Sequence, residues 1–217
     1  MNEALALIIA YLLGSIPSAY IAARRVKGRD IRQMGGGNIG SINTFREVGL
    51  WAGIIVGVVD FGKGGAAVAI AYGLLEVSPP FVLLAGLTSV VGHNWMVWLK
   101  FGGGKGLAAA VGALAVIMPL YGYATEFLIF LGIIIVPLII TGNIALSASF
   151  GLLALPVITW LATKSGLATI LAVALLLLIG LKYLPTARAT LRRTGSVSDL
   201  IFDRRQKERD RERRKKT

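Results

Sequence analysis

The chain is predicted to be an all-α integral membrane protein of about seven transmembrane helices, with glycine-rich loops on the cytoplasmic side. Three observations predict this. Charged residues make up 16% of the 217 residues and hydrophobic ones 55%, with a mean hydropathy of +0.72, whereas soluble domains carry roughly 25% charge. Apolar stretches repeatedly reach the ~20 residues that a bilayer-spanning helix needs. Lys and Arg concentrate between alternate stretches and after the last one, as the positive-inside bias of membrane proteins requires.

The spans follow in order. The first covers about 4–23 and is interrupted by Gly14-Ser15-Ile16-Pro17-Ser18, where a proline bends the helix and nearby hydroxyls can satisfy the carbonyls it frees. Asn2 and Glu3 stand where a signal peptide would be basic, so this stretch reads as a retained helix. Span two, about 49–75, carries Asp60 and Lys63 on one face near its middle; charges at that depth pair or line a polar cavity. Span three is about 81–99, span four 107–122, span five 124–141, span six 143–162 and span seven 166–184. Residues 1–185 form the membrane body and 186–217 a basic cytoplasmic tail, whose last dozen residues are expected to be disordered or a frayed helix. An odd span count puts the 24–47 loop, the Lys100–Lys105 loop and the tail on the cytoplasmic side, with the N-terminus outside. Trp51, Trp95, Trp98 and Trp160 read as interface anchors.

Composition excludes several function classes. No cysteine means no disulfide, thiol catalysis or Cys-based metal site, and a single histidine leaves no His-rich metal centre. The net charge is +12; from Lys182 on, thirteen Lys/Arg stand against five Asp/Glu, a net of +8. Beside a membrane such a tail meets anionic lipid, so no nucleic-acid partner is expected.

Two loops carry the chemistry. In Gly102-Gly103-Gly104-Lys105-Gly106, glycines let backbone N–H groups turn toward an anion and a lysine adds charge, just before a helix start at Leu107. The pattern is a phosphate cradle at a membrane surface. It is not a nucleotide-binding P-loop, which would need Gly at Leu99 and Ser or Thr at Gly106. The second loop runs from Arg24 to Arg46. Its Gly35, Gly37 and Gly40 match G-x-G-x-x-G without the βαβ unit that would give that match meaning. Its useful content is neutral hydrogen-bonding groups (Asn38, Ser41, Asn43, Thr44) and guanidinium forks at Arg32 and Arg46 that suit phosphate. His93, next to Asn94 near the end of span three, is either a packed, hydrogen-bonded residue or a catalytic one; Asp60 and Lys63 are either a neutralised structural pair or part of the site.

Taken together, Gly14-Ser15-Ile16-Pro17, Asp30-Ile31-Arg32, Gly35-x-Gly37-Asn38-x-Gly40-x-x-Asn43-x-x-Arg46, Asp60-x-x-Lys63-Gly64 and Gly92-His93…Phe101-Gly-Gly-Gly-Lys105-Gly106 resemble, in order and spacing, the bacterial acyl-phosphate-dependent glycerol-3-phosphate acyltransferases (the PlsY family). The resemblance spans roughly residues 10–185. It implies acyl transfer from acyl phosphate to the 1-position of sn-glycerol 3-phosphate, giving lysophosphatidic acid and phosphate in phospholipid synthesis at the cell's inner (plasma) membrane. It implies no cofactor and no metal, and an upstream acyl-phosphate-forming enzyme as partner. Among the residues, it implies catalytic roles for Asn38, Ser41, Asn43, Arg46, His93 and Lys105. Phosphate binding would fall to Arg32, Gly35, Gly37 and Gly102 through Gly106, with Asp30, Asp60, Lys63 and Arg192 in support. The pattern departs from the family at Gly36, where serine is usual and Ser41 lies nearby. It departs again after the last span, where only Arg192 or Arg193 matches the third motif. These departures leave a divergent member with altered or lost activity, or a transporter or binder of small phosphorylated anions, as the alternatives.

Overall fold

The computed structural model describes residues 1–194 and contains, among them, helices and no strands. The side chain of Arg192 and the last dozen residues of the tail, for which disorder is expected, lie outside the described residues. Nine helices are described: α1 (Asn2–Gly14), α2 (Ser18–Lys27), α3 (Ser41–Glu47), α4 (Leu50–Gly73), α5 (Pro79–Asn94), α6 (Leu107–Leu120), α7 (Ala124–Thr141), α8 (Ile144–Thr163) and α9 (Gly166–Thr194). Six spans are long and apolar enough to cross a bilayer: α1 with α2, α4, α5 with the 3-10 turn after it, α7, α8 and the first 21 residues of α9. The seventh, α6, is apolar but only 14 residues long. The glycine loop occupies the residues immediately before it. Helix α9 continues through Pro185 to Thr194.

The first span breaks where Pro17 removes a backbone donor; Ser15 and Ile16 turn back onto α1 and α2 restarts at Ser18. Within the bilayer, helices associate by close packing rather than by exclusion from water, so small residues mark the contacts. Gly14 of α1 lies against the Ser89 carbonyl and Gly92 of α5 against the Tyr11 carbonyl, leaving no room for a Cβ at either. Gly64 and Gly112 do the same between α4 and α6, against Ala109 and Phe61. A side chain at Gly112 would meet backbone that cannot swing aside. Gly112→Val is therefore expected to separate α4 from α6 at the upper end of the ~1–3 kcal/mol that overpacking costs, or beyond it; thermal denaturation in detergent measures it.

Large apolar side chains face outward, as a lipid-facing surface requires: Trp51, Trp98 and Trp160 are all exposed. The inward-facing exceptions are polar. Asp60 and Lys63, each 2% exposed, pair at 2.9 Å in the middle of α4. The Lys63 ammonium also donates to the Ile16 carbonyl at the α1–α2 break (3.1 Å), and the Ser18 hydroxyl donates to Asp60 (2.7 Å). The buried charges thus staple the broken span to α4.

Candidate active site at one end of the bundle

The Asp30–Arg46 loop, the 100–106 loop and the last span meet at one end of the bundle. A 3-10 turn at Ile31–Gln33 starts the first loop, capped by the Asp30 carboxylate, which accepts from the Arg32 backbone N–H (3.0 Å) and grips the Arg32 guanidinium at 2.7–3.1 Å. The Arg32 fork holds the Asp30 carboxyl below its usual range against the opposing effect of burial, and Asp30 raises the Arg32 pKa in turn. Arg32 therefore meets the site already oriented, its fork engaged by Asp30. Its remaining nitrogen points to the Leu99 carbonyl at 3.5 Å, joining the two loops. The Tyr20 ring lies beneath Arg24 and Arg32, 5.5 and 5.7 Å from their guanidinium carbons.

Asn43 is buried and is a builder of the loop. Its amide nitrogen donates to the Met34 and Asn38 carbonyls (both 3.0 Å) and its oxygen accepts from the Gly36 N–H (3.2 Å). All its polar capacity is spent on closing the Gly35–Gly37 turn. Asn43→Ala would strand two carbonyls and one N–H, a cost of about 1–3 kcal/mol. Turnover is expected to fall at least ten-fold with a lowered melting temperature, whereas Asn43→Asp, keeping the acceptor, should fall between the two. Gly36 lies exposed on this turn; Asn38 is half-buried; Ser41 opens α3 with its side chain against Gly57 of α4; Arg46 sits on the exposed face of α3.

The second loop is held by α5. After a left-handed pair at Lys100 and Phe101 (φ 55° and 61°), the chain passes under the end of α5, where the Gly104 N–H donates to the His93 carbonyl at 3.0 Å. A Cβ at Gly103 would strike the His93 and Asn94 carbonyls, and one at Gly104 the His93 ring and the Ile39 carbonyl of the first loop. Gly106 takes φ 83° and starts α6, which no side chain caps, so the first N–H groups of α6 face the loop. Lys105 is half-buried with its ammonium 4.3 Å from the centre of the Tyr183 ring, and Lys182 lies over Trp95 at 4.6 Å; α9 roofs the cradle through these two contacts. Burial lowers the Lys105 pKa below that of an ordinary lysine.

His93 is buried at the back of the cradle. Its Nδ1 is 3.6 Å from Asp60, beyond hydrogen-bonding distance, and makes no hydrogen bond among the described residues; its other side faces Gly104. Asn94, fully buried beneath Gly106, makes no hydrogen bond through its side-chain amide among the described residues. The structure thus brings together Arg32, Gly35, Gly37, Gly102 through Gly106, Lys105 and His93, and links Asp60 and Lys63 to them from below. Sequence reasoning missed Tyr20, Asn94 and Tyr183 as participants, and gave the hydroxyls around Pro17 backbone carbonyls as partners where Ser18 donates to Asp60. Asn94 was adjacent to a flagged residue, but Tyr20 and Tyr183 carry no local signal.

Comparison with known proteins gives the same picture. The family profile described as Glycerol-3-phosphate acyltransferase matches residues 4–192. Among curated proteins, Glycerol-3-phosphate acyltransferase 1 of Dehalococcoides mccartyi is 48% identical over 199 residues, covering 92% of this chain and 96% of the relative. The Glycerol-3-phosphate acyltransferase of Bacillus velezensis is 47% identical over 120 residues, 55% of this chain and 61% of the relative. Among solved structures, PlsY, an integral membrane glycerol 3-phosphate acyltransferase, in its glycerol 3-phosphate form, aligns with a TM-score of 0.78 at 27% identity, covering 88% of this chain and 93% of that one.

Proposed function

The chain belongs to the glycerol-3-phosphate acyltransferase family, and from that premise we propose that it transfers a fatty acyl group from acyl phosphate to the 1-position of sn-glycerol 3-phosphate, giving lysophosphatidic acid and inorganic phosphate. The observation that carries the reading is the meeting of two glycine-rich, cation-bearing loops, distant in sequence, at one end of an apolar bundle. Two phosphorylated substrates need two anion-holding surfaces side by side, and an acyl chain needs hydrocarbon next to them.

Glycerol phosphate is assigned to Gly102–Gly106, with the Lys105 ammonium and the N-terminus of α6 on its phosphate. Acyl phosphate is assigned to the Asp30–Arg46 loop, with Arg32, Arg46, Asn38 and Ser41 around it. In the reaction the glycerol hydroxyl oxygen attacks the acyl carbonyl carbon, and an ester C–O bond forms. The anhydride C–O bond breaks, and the departing phosphate leaves with its electron pair and ends holding the hydroxyl proton. Atoms and charge balance without a further reactant. The loops supply proximity and neutralise the gathering negative charge. His93, behind Gly104, and the unpartnered Asn94 amide complete the polar wall on the acceptor side. The cation-rich loops support a cytoplasmic face for this site, in a multi-pass inner-membrane protein with its N-terminus outside, a body of residues 1–185 and a cytoplasmic tail of 186–217. The donor's chemistry requires an enzyme upstream that makes acyl phosphate.

The test supplies the purified protein, in detergent or a lipid mesophase, with palmitoyl phosphate and glycerol 3-phosphate. Release of phosphate and lysophosphatidic acid is expected, and palmitoyl thioester in place of palmitoyl phosphate should give none. No turnover in a folded preparation, even after Gly36→Ser, would overturn the reading; uptake of labelled glycerol phosphate into sealed vesicles without donor would move it to transport.

A further inference from the structure

Lys105 stands among glycines, with Gly102 to Gly104 before it and Gly106 after, so its own loop offers no side chain to hold it. A lysine left free samples many rotamers, and fixing one of them costs side-chain entropy. The contact that fixes it comes from the far end of the chain. We infer that Tyr183 is a positioning residue of the acceptor site, its ring setting the Lys105 ammonium over the glycine turn where a phosphate meets it. The inference rests on the acyltransferase reading above and names a residue that reading leaves out.

Three observations carry it. The first is the nature of the contact. The Lys105 ammonium lies 4.3 Å from the centre of the Tyr183 ring and makes no ion pair among the described residues. A ring face attracts one side of an ammonium without cancelling its charge, so the N–H groups directed away from the ring remain for an anion. A carboxylate in the same place would neutralise the charge that the phosphate needs.

The second is that the contact has a reciprocal. Lys182, next to Tyr183 on α9, sets its ammonium 4.6 Å from the centre of the Trp95 ring. Helix α9 thus gives one ring and one cation, and the wall opposite gives one cation and one ring. Consecutive helical residues point about 100° apart, so the two contacts together fix the rotation of α9 as well as its height. Trp95 is itself anchored: its carbonyl accepts the Tyr11 hydroxyl at 2.7 Å, and its neighbours Asn94 and Met96 are fully buried. The third is location. Pro185, inside α9, has no N–H for the Leu181 carbonyl, so the helix lacks one of its own hydrogen bonds at the turn that bears both residues. There the clasp, more than the helix ladder, decides where Tyr183 sits.

The experiment is a double-mutant cycle on the KM for glycerol 3-phosphate, with palmitoyl phosphate as donor. Tyr183→Leu is expected to raise that KM about five-fold with little change in kcat, and Tyr183→Phe, which keeps the ring face, should restore it to within about two-fold. Added to Lys105→Ala, Tyr183→Leu should raise the KM no further, because the ring has no ammonium left to hold. The pH profile gives a second readout. Burial lowers the Lys105 pKa, and Tyr183→Leu uncovers the lysine, so the alkaline climb of the KM should move to higher pH, whereas in Tyr183→Phe it stays in place. A KM is independent of how much protein folds, and if Tyr183→Leu does not fold, Tyr183→Met takes its place. Equal rises with and without Lys105, or a Tyr183→Phe as impaired as Tyr183→Leu, overturn the assignment. No turnover by the unsubstituted protein overturns instead the acyltransferase reading, and the same cycle read on glycerol 3-phosphate binding by calorimetry then decides the role of Tyr183.

Discussion

Lys105→Ala is expected to raise the KM for glycerol 3-phosphate by ten-fold or more while moving the melting temperature little. The lysine is held in place by the Tyr183 ring at 4.3 Å and makes no ion pair among the described residues, so its removal strands no buried partner. What it supplies is a positive charge over the glycine turn, where a charge-assisted bond to phosphate is worth about 1.5–3 kcal/mol. Lys105→Arg should recover part of the affinity, since charge returns but the planar fork does not fit the same turn. Burial gives a pH signature as well. Because the Lys105 pKa is lowered, its proton is lost at lower pH than from an exposed lysine. Affinity is therefore full while the ammonium persists and declines as pH rises through that lowered pKa. A KM for glycerol phosphate that climbs on the alkaline side in the unsubstituted protein, and stays flat in Lys105→Arg, is the expected pattern. An unchanged KM in Lys105→Ala would remove the lysine from the acceptor site.

How far the sequence could be read depended on the range of the interactions. Span five was placed at its observed bounds and most span starts within two residues, because hydropathy is a local property. The end of span seven was placed at 184 where α9 runs on to Thr194, since its polar last turns carry no hydropathy signal. Asp60 and Lys63 could be paired in advance because a spacing of three puts them on one helix face. The glycine loop announced itself by composition. By contrast, the role of Asn43 could not be read: asparagine in a polar loop suggests a ligand, and only the fold shows its amide spent on Met34, Gly36 and Asn38. Arg32 likewise reads as a free phosphate fork, yet its neighbour Asp30 holds it. The contacts that tie the site together span the chain: Arg32 to Leu99, Lys105 to Tyr183, Lys182 to Trp95. No periodicity in one sequence encodes them, because each partner's position is set by helix packing. The third-motif departure shows the same limit from the other side. After the last span, where the third motif departs, α9 itself meets this end of the bundle, with the Tyr183 ring against Lys105 and Lys182 over Trp95.

The largest stability effects are expected at the buried pair. Asp60→Ala leaves the Lys63 ammonium in a membrane interior with only the Ile16 carbonyl for company, and Lys63→Met leaves the carboxylate with Ser18. Breaking a buried pair costs about 3–5 kcal/mol, mostly because an uncompensated charge remains. Asp60→Asn with Lys63→Met removes both charges and should recover much of that loss, so the two single changes are strongly non-additive. The comparison also decides what the pair is for. Its partners are scaffold atoms at the break between α1 and α2: the Lys63 ammonium donates to the Ile16 carbonyl, and the Asp60 carboxylate accepts from the Ser18 hydroxyl. His93, at 3.6 Å from Asp60, is the sole link to the cradle among these contacts. If the pair serves the scaffold, the double variant regains turnover together with its melting temperature, and this is the expected result. A double variant that is stable yet inactive would instead make Asp60 a positioning residue that sets the His93 ring against Gly104, and would move the pair from the scaffold into the site.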